Sequence, residues 1–137
     1  MNTRTSSAPS PGNRRLLWVQ PGVPDAEYAF ADGNLAVAAG YTLGYGLRRG
    51  LLPGVEAEVL DEETATFAGD AALLSAVLER APDVLCGTAY SWNVERLLWP
   101  GREVRRRRPG TRLVLGGPEI GPDSPCQQLV PQANAHN

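Results

Sequence analysis

The stretch from Pro82 to Glu119 constrains the fold most. It reads Pro-Asp-Val-Leu-Cys-Gly-Thr-Ala-Tyr-Ser-Trp-Asn, then an Arg-rich segment, then Arg-Leu-Val-Leu-Gly-Gly-Pro-Glu. Asp83 to Gly87 is a short apolar run behind a proline, which suits a strand buried on both faces. Arg112 to Leu115 is a second such run, stopped by Gly116-Gly117-Pro118. About two dozen residues separate them, enough for a helical crossover between parallel strands and too many for a hairpin. Both strands then end at one sheet edge, and the loops Thr88–Asn93 and Gly116–Glu119 lie side by side there. In open α/β sheets that edge is where ligands bind.

The rest of the chain fits the same plan. Arg15–Gln20 reads as the first strand, closed by Pro21-Gly22. Val23–Asp32 is a loop carrying Tyr28 and Phe30, a candidate lid. Asp32 or Asn34 caps a helix from Leu35 to about Arg49, with Gly50 just beyond its end. Gly40 and Gly44 share one helix face and suggest close packing on the sheet. Val55–Leu60 alternates like an edge strand, with Asp61-Glu62-Glu63 at its end. Gly69-Asp70 opens a helix whose stripe is Leu73, Leu74, Val77 and Leu78. Asn93 is the expected N-cap of a third helix carrying Val94, Leu97 and Leu98 inward. Pro100-Gly101 predicts a kink or break there, since an interior proline costs about 3 kcal/mol. The fold class is α/β: a flavodoxin-like (Rossmann-like) open parallel sheet in three α/β/α layers, with four strands of an expected five. Residues 1–13 read as a disordered leader, 14–123 as the folded unit, and 124–137 as an irregular tail.

Composition narrows the chemistry. The 137 residues carry 13 basic side chains, all arginine, 15 acidic ones, and a net charge of -2, so no global field favours nucleic acid. Arg105–Arg108 reads as the solvated last turn of a helix, where the dipole favours cations. No apolar run reaches the roughly 18 residues of a membrane span, and no signal peptide is visible, so the cytoplasm is the expected location. The dinucleotide glycine fingerprint and the P-loop are both missing. His136, the one histidine, is next to last, which argues against a histidine-based catalytic triad or zinc site. Cys86 reads as a small buried hydrophobe.

Three segments together resemble a known family: Asn34–Tyr41, Pro82–Asn93 with its Tyr90-Ser91-Trp92-Asn93, and Gly116-Gly117-Pro118-Glu119. They look like the N-terminal cobalamin-binding domain of cobalamin-dependent radical S-adenosylmethionine enzymes, methyltransferases among them, over residues 15–123. The resemblance implies a corrin held at the C-terminal sheet edge. Thr88, Tyr90, Ser91, Trp92 and Asn93 would form one binding loop, and Gly116, Gly117, Pro118 and Glu119 the other. It implies no protein imidazole on cobalt. The family's fourth helix, fifth strand and iron–sulfur barrel with its Cys-x-x-x-Cys-x-x-Cys are not in this sequence, so a truncated product without an iron–sulfur cluster or catalysis of its own is expected. The barrel would be a separate or missing partner. Two other readings stand beside this one: a flavodoxin-like interaction or signalling domain using the Arg-rich helix as contact surface, and a flavin or nucleotide domain. A receiver-type phosphoacceptor is disfavoured by Gln20 at the first strand's end. The resemblance also predicts that Gly117→Val harms ligand binding far more than folding.

Overall fold

A computed structural model describes residues 12–23 and 36–121. Residues 1–11 of the leader, the tail, Tyr28 and Phe30 of the first loop, and the Asp32 and Asn34 caps lie outside these residues. Asn13, expected in a disordered leader, donates from Nδ2 to Glu56 Oε1 at 3.1 Å. In chain order the elements are β1 (Arg14–Val19), α1 (Val37–Arg48), β2 (Val55–Val59), a π-helical turn (Glu63–Phe67), α2 (Asp70–Arg80), β3 (Val84–Thr88), α3 (Val94–Arg107) and β4 (Arg112–Gly116). The strands form one parallel sheet in the order β2-β1-β3-β4, with Leu16 opposite Val84 and Val84 opposite Arg112. The connection from β1 to β2 runs one way across the sheet, and the two later crossovers run the other way. Right-handed crossovers therefore put α1 on one face and α2 with α3 on the other. This is the three-layer flavodoxin-like arrangement, with four strands.

The main core lies under α2 and α3. Leu17, Val19 and Leu85 pack there against Leu73, Val77, Leu97 and Val104, all buried. Each such side chain contributes about 1.5–3 kcal/mol through removal from water. The opposite face carries Trp18, Cys86 and Val114 in register. Cys86 is buried, and desolvation raises its thiol pKa. Val114 remains 53% exposed because it stands on the outer strand, beyond the cover of α1. The edge expectation for β2 holds, and β4 is the other outer strand.

Two local expectations are corrected. α1 buries Ala39, Leu43 and Gly46, whereas a Cβ on Gly40 or Gly44 would meet nothing within 4 Å. The two glycines face away from the sheet. With Val37, Tyr41 and Tyr45 also exposed, α1 is apolar on both sides, and periodicity alone could not fix its rotation. Gly44→Ala is therefore expected to stabilise the protein by about 1 kcal/mol through helix propensity, seen as a higher urea midpoint at unchanged slope. Second, α3 runs unbroken through Pro100. Pro100 and Gly101 are both buried, and a Cβ at Gly101 would come within 2.9 Å of Leu113 Cδ2. Close seating on β4 offsets the missing N–H.

Candidate functional site

All four strands point their C-terminal ends to one edge, and the loops after β3 and β4 meet there as expected. Ala89 N–H donates to the Gly116 carbonyl at 2.7 Å, and Glu119 N–H donates to the Ala89 carbonyl at 3.3 Å. Gly117 makes this approach possible. Its φ of +105° lies in the region that disfavours side chains, and a Cβ would sit 2.5 Å from Ala89 O.

The nine residues expected at the site separate into a supporting layer and a surface layer. Thr88 and Asn93 are buried. Asn93 precedes α3, but its side chain makes no cap. Its Oδ1 accepts the Tyr90 N–H at 2.8 Å, while Nδ2 donates to Pro21 O at 2.9 Å and Thr88 O at 3.1 Å. One amide thus joins the ends of β1 and β3 to the start of α3. Tyr90 and Trp92 stack, with ring centroids 4.5 Å apart and planes 4° apart. Trp92 stays 55% exposed. Ser91, Gly116, Gly117 and Pro118 are also exposed, and Glu119 is half-buried. The result is an open shelf: stacked aromatic rings beside a strip of bare backbone.

Sequence reasoning missed the third wall, the segment after β2. Glu63–Phe67 forms a π-helical turn. Asp61 Oδ1 accepts the Thr64 N–H at 2.8 Å, and that hydrogen bond holds the Asp61 carboxyl below its usual pKa. A depressed carboxyl contributes stability above its unfolded pKa and loses it as pH falls through the folded value. Acidification below about pH 4 should therefore unfasten this turn. Asp61→Ala should cost about 1 kcal/mol at pH 7 and less at pH 2.5, checked by urea melts at both. The Asp-x-x-Thr spacing was the available signal. The turn is tied to its neighbours by buried Thr66, whose Oγ1 accepts the Gly22 N–H at 2.8 Å, and by Arg96 of α3. The Arg96 guanidinium donates to Thr66 O and Ala68 O and pairs with Asp70 at 3.4 Å.

Four buried side-chain atoms have no hydrogen-bond partner among the described residues: Trp18 Nε1, Gln20 Oε1, Glu62 Oε1 and Arg96 Nε, the last of them 3.4 Å from Asp70 Oδ1 in an ion pair. Trp18 and Gln20 alternate onto one face of β1's end, and Glu62 follows the end of β2. A small apolar void lies inside the core between Val77, Leu97, Pro100 and Leu113, away from this edge. No group of three His, Cys, Asp or Glu side chains among the described residues is placed to hold a metal ion. No helix among them is long and apolar enough to cross a membrane.

Comparison with known proteins gives one local likeness. A 44-residue stretch is 46% identical to 2-(S-pantetheinyl)-carbapenam-3-carboxylate methyltransferase of Streptantibioticus cattleyicolor, covering 32% of this chain and 6% of that protein. The chain thus spans a small part of that relative's length. No family model matches.

Proposed function

We propose that this chain is a binding module of flavodoxin-like fold, without catalysis of its own, whose working surface is the C-terminal sheet edge. The observation that carries the reading is the joining of the β3 and β4 loops into one shelf, with Tyr90 and Trp92 stacked beside Gly116 and Gly117. Small metabolites are usually held in concave pockets of about 300–1,000 Å³. A broad planar ligand suits an open shelf better. Cobalamin is the ligand that the family resemblance implies, and the local likeness to a methyltransferase is compatible with it. The surface residues fit such a group: the exposed Gly116 and Gly117 leave room for a flat ring system beside the stacked Tyr90 and Trp92 rings. When bound, a cobalamin would supply a methyl-carrying cobalt. Trp92, Gly116 and Pro118 would hold the ring, with Asn93 positioning them from beneath. The test is an absorbance scan after mixing with hydroxocobalamin and removing the excess. Retained corrin colour that Trp92→Ala abolishes, at unchanged thermal midpoint, supports the assignment. No retention by the wild type rejects it.

A second reading, an interaction domain, is favoured by the outer face of α3. There Trp99 is 42% exposed among charged side chains, a pattern common at contact surfaces.

A further inference from the structure

The outward stripe of α3 is Glu95, Trp99, Arg102 and Arg106, spaced by four, three and four residues, and all four are exposed. Leu97, Leu98, Gly101 and Val104 take the inward side. The stripe is acidic at its start, aromatic and basic in its middle, and basic at its end. Turned end for end, it is its own complement. An antiparallel copy places Glu95 opposite Arg106 of the second copy and Trp99 opposite the second copy's Arg102, each pairing occurring twice. From these positions we infer that α3 is an isologous contact surface whose partner is a second copy of this chain, related by a two-fold axis between Trp99 and Arg102. This rests on the contact-surface reading of α3, not on any ligand at the sheet edge.

Charge complementarity argues for a copy as the occupant. The net charge of -2 hides a segregation. Helices run antiparallel to the strands, so helix C-termini gather at the opposite edge from the shelf. Arg48, Arg49, Arg80 and Arg105–Arg108 lie there, with Arg14 and Arg112 at strand starts. Asp61, Glu63, Asp70 and Glu95 lie at the shelf edge. α3 is about 21 Å long, roughly two screening lengths at physiological salt, so a neighbour feels each end separately. Antiparallel docking matches both ends at once and sets the helix dipoles in opposition. The tryptophan ring facing the Arg102 guanidinium adds a cation–π contact in competition with the partner Arg102 already has in its own chain, and a closed two-fold pair is the commonest oligomer. Arg106 is already 2.9 Å from Glu103 and Arg107 3.7 Å from the same carboxylate, so Glu95 competes with an acid on Arg106's own helix. One helix pair is also a small interface. Association is therefore weak and sensitive to salt.

Sedimentation velocity on the full 137-residue chain tests this. At about 50 mM salt and about 100 µM protein, the expected mass is twice the 14.7 kDa of the chain, falling towards the monomer at high salt. Glu95→Arg and Arg106→Glu should each weaken association about tenfold or more. The double swap Glu95→Arg with Arg106→Glu should restore it, because the two positions face each other across the axis. Trp99→Glu should give monomer with an unchanged circular dichroism spectrum. A wild type that stays monomeric under these conditions overturns the second copy as partner. If that monomer binds a 20-base-pair duplex, loss of binding in Arg106→Glu assigns α3 to a polyanion instead. A dimer indifferent to all the α3 variants overturns the contact-surface reading itself.

Discussion

Gly117→Val should lower the stability of the folded protein by about 3 kcal/mol or more, through backbone strain and loss of a loop hydrogen bond. The added Cβ would lie 2.5 Å from Ala89 O, 2.8 Å from Ala89 N and 3.0 Å from Thr88 Cγ2. Two of these atoms belong to the backbone and cannot swing away. The Ala89 N–H is also the donor that joins the two loops. A φ of +105° is poor for any side chain and worst for a β-branched one. The thermal midpoint should fall by about 10 °C or more. Ligand binding would be lost with the fold, which reverses the sequence-based expectation that this glycine serves the ligand first. An unchanged midpoint would show that the Ala89 loop can retreat without loss.

Asn93→Leu should be comparably damaging. The replacement keeps the branched heavy-atom shape, with bulkier methyls, but leaves the Tyr90 N–H and the Pro21 and Thr88 carbonyls without their partner. Each unsatisfied buried group costs about 1–3 kcal/mol, so a loss of about 3–4 kcal/mol is expected even if some of them reach water. Asn93→Asp is more informative. Its carboxylate could still accept from Tyr90 N–H but would face two carbonyl oxygens in a buried position. Burial and those oxygens favour the neutral acid, raising its folded pKa above the unfolded value near 3.9. Stability is then greatest below the unfolded pKa and is lost as pH rises through the folded one. The variant should melt nearer the wild type at pH 4 than at pH 7.5. A gap independent of pH would mean that water has entered to solvate the carboxylate.

The parts of this fold that could be read from sequence were those with an unambiguous period or count. Val84–Thr88 and Arg112–Gly116 announced themselves as apolar runs, and the length between them required a crossover, so the meeting of their loops followed. The stripe of α2 was legible for the same reason. The rotation of α1 was not, because Val37, Tyr41 and Tyr45 are as apolar as the residues it buries. The turn at Glu63–Phe67 has neither helical nor strand period, and its stability comes from Thr66 and Arg96 bonds that span the sheet edge. The continuity of α3 through Pro100 depends on contact with Leu113, a partner separated in the chain. At the site, sequence could collect Thr88, Tyr90, Ser91, Trp92, Asn93 and Gly116–Glu119 at one edge. It could not separate supports from surface, since Asn93 and Ser91 are equally polar and differ only in where the backbone aims them.

The lacing of the edge has a kinetic consequence. Gly22 N–H is held by Thr66, Pro21 O by Asn93, Tyr90 N–H by Asn93 and Thr66 O by Arg96. Apart from the Tyr90–Asn93 bond, which lies within one loop, each fastens a loop to another element. No one of them can lift without breaking a bond that also restrains its neighbour. The ends of β1, β2 and β3 should therefore open together, in one fluctuation. Amide exchange at Gly22 and Tyr90, far apart in the chain, would then converge on a single rate, that of the shelf detaching as a unit.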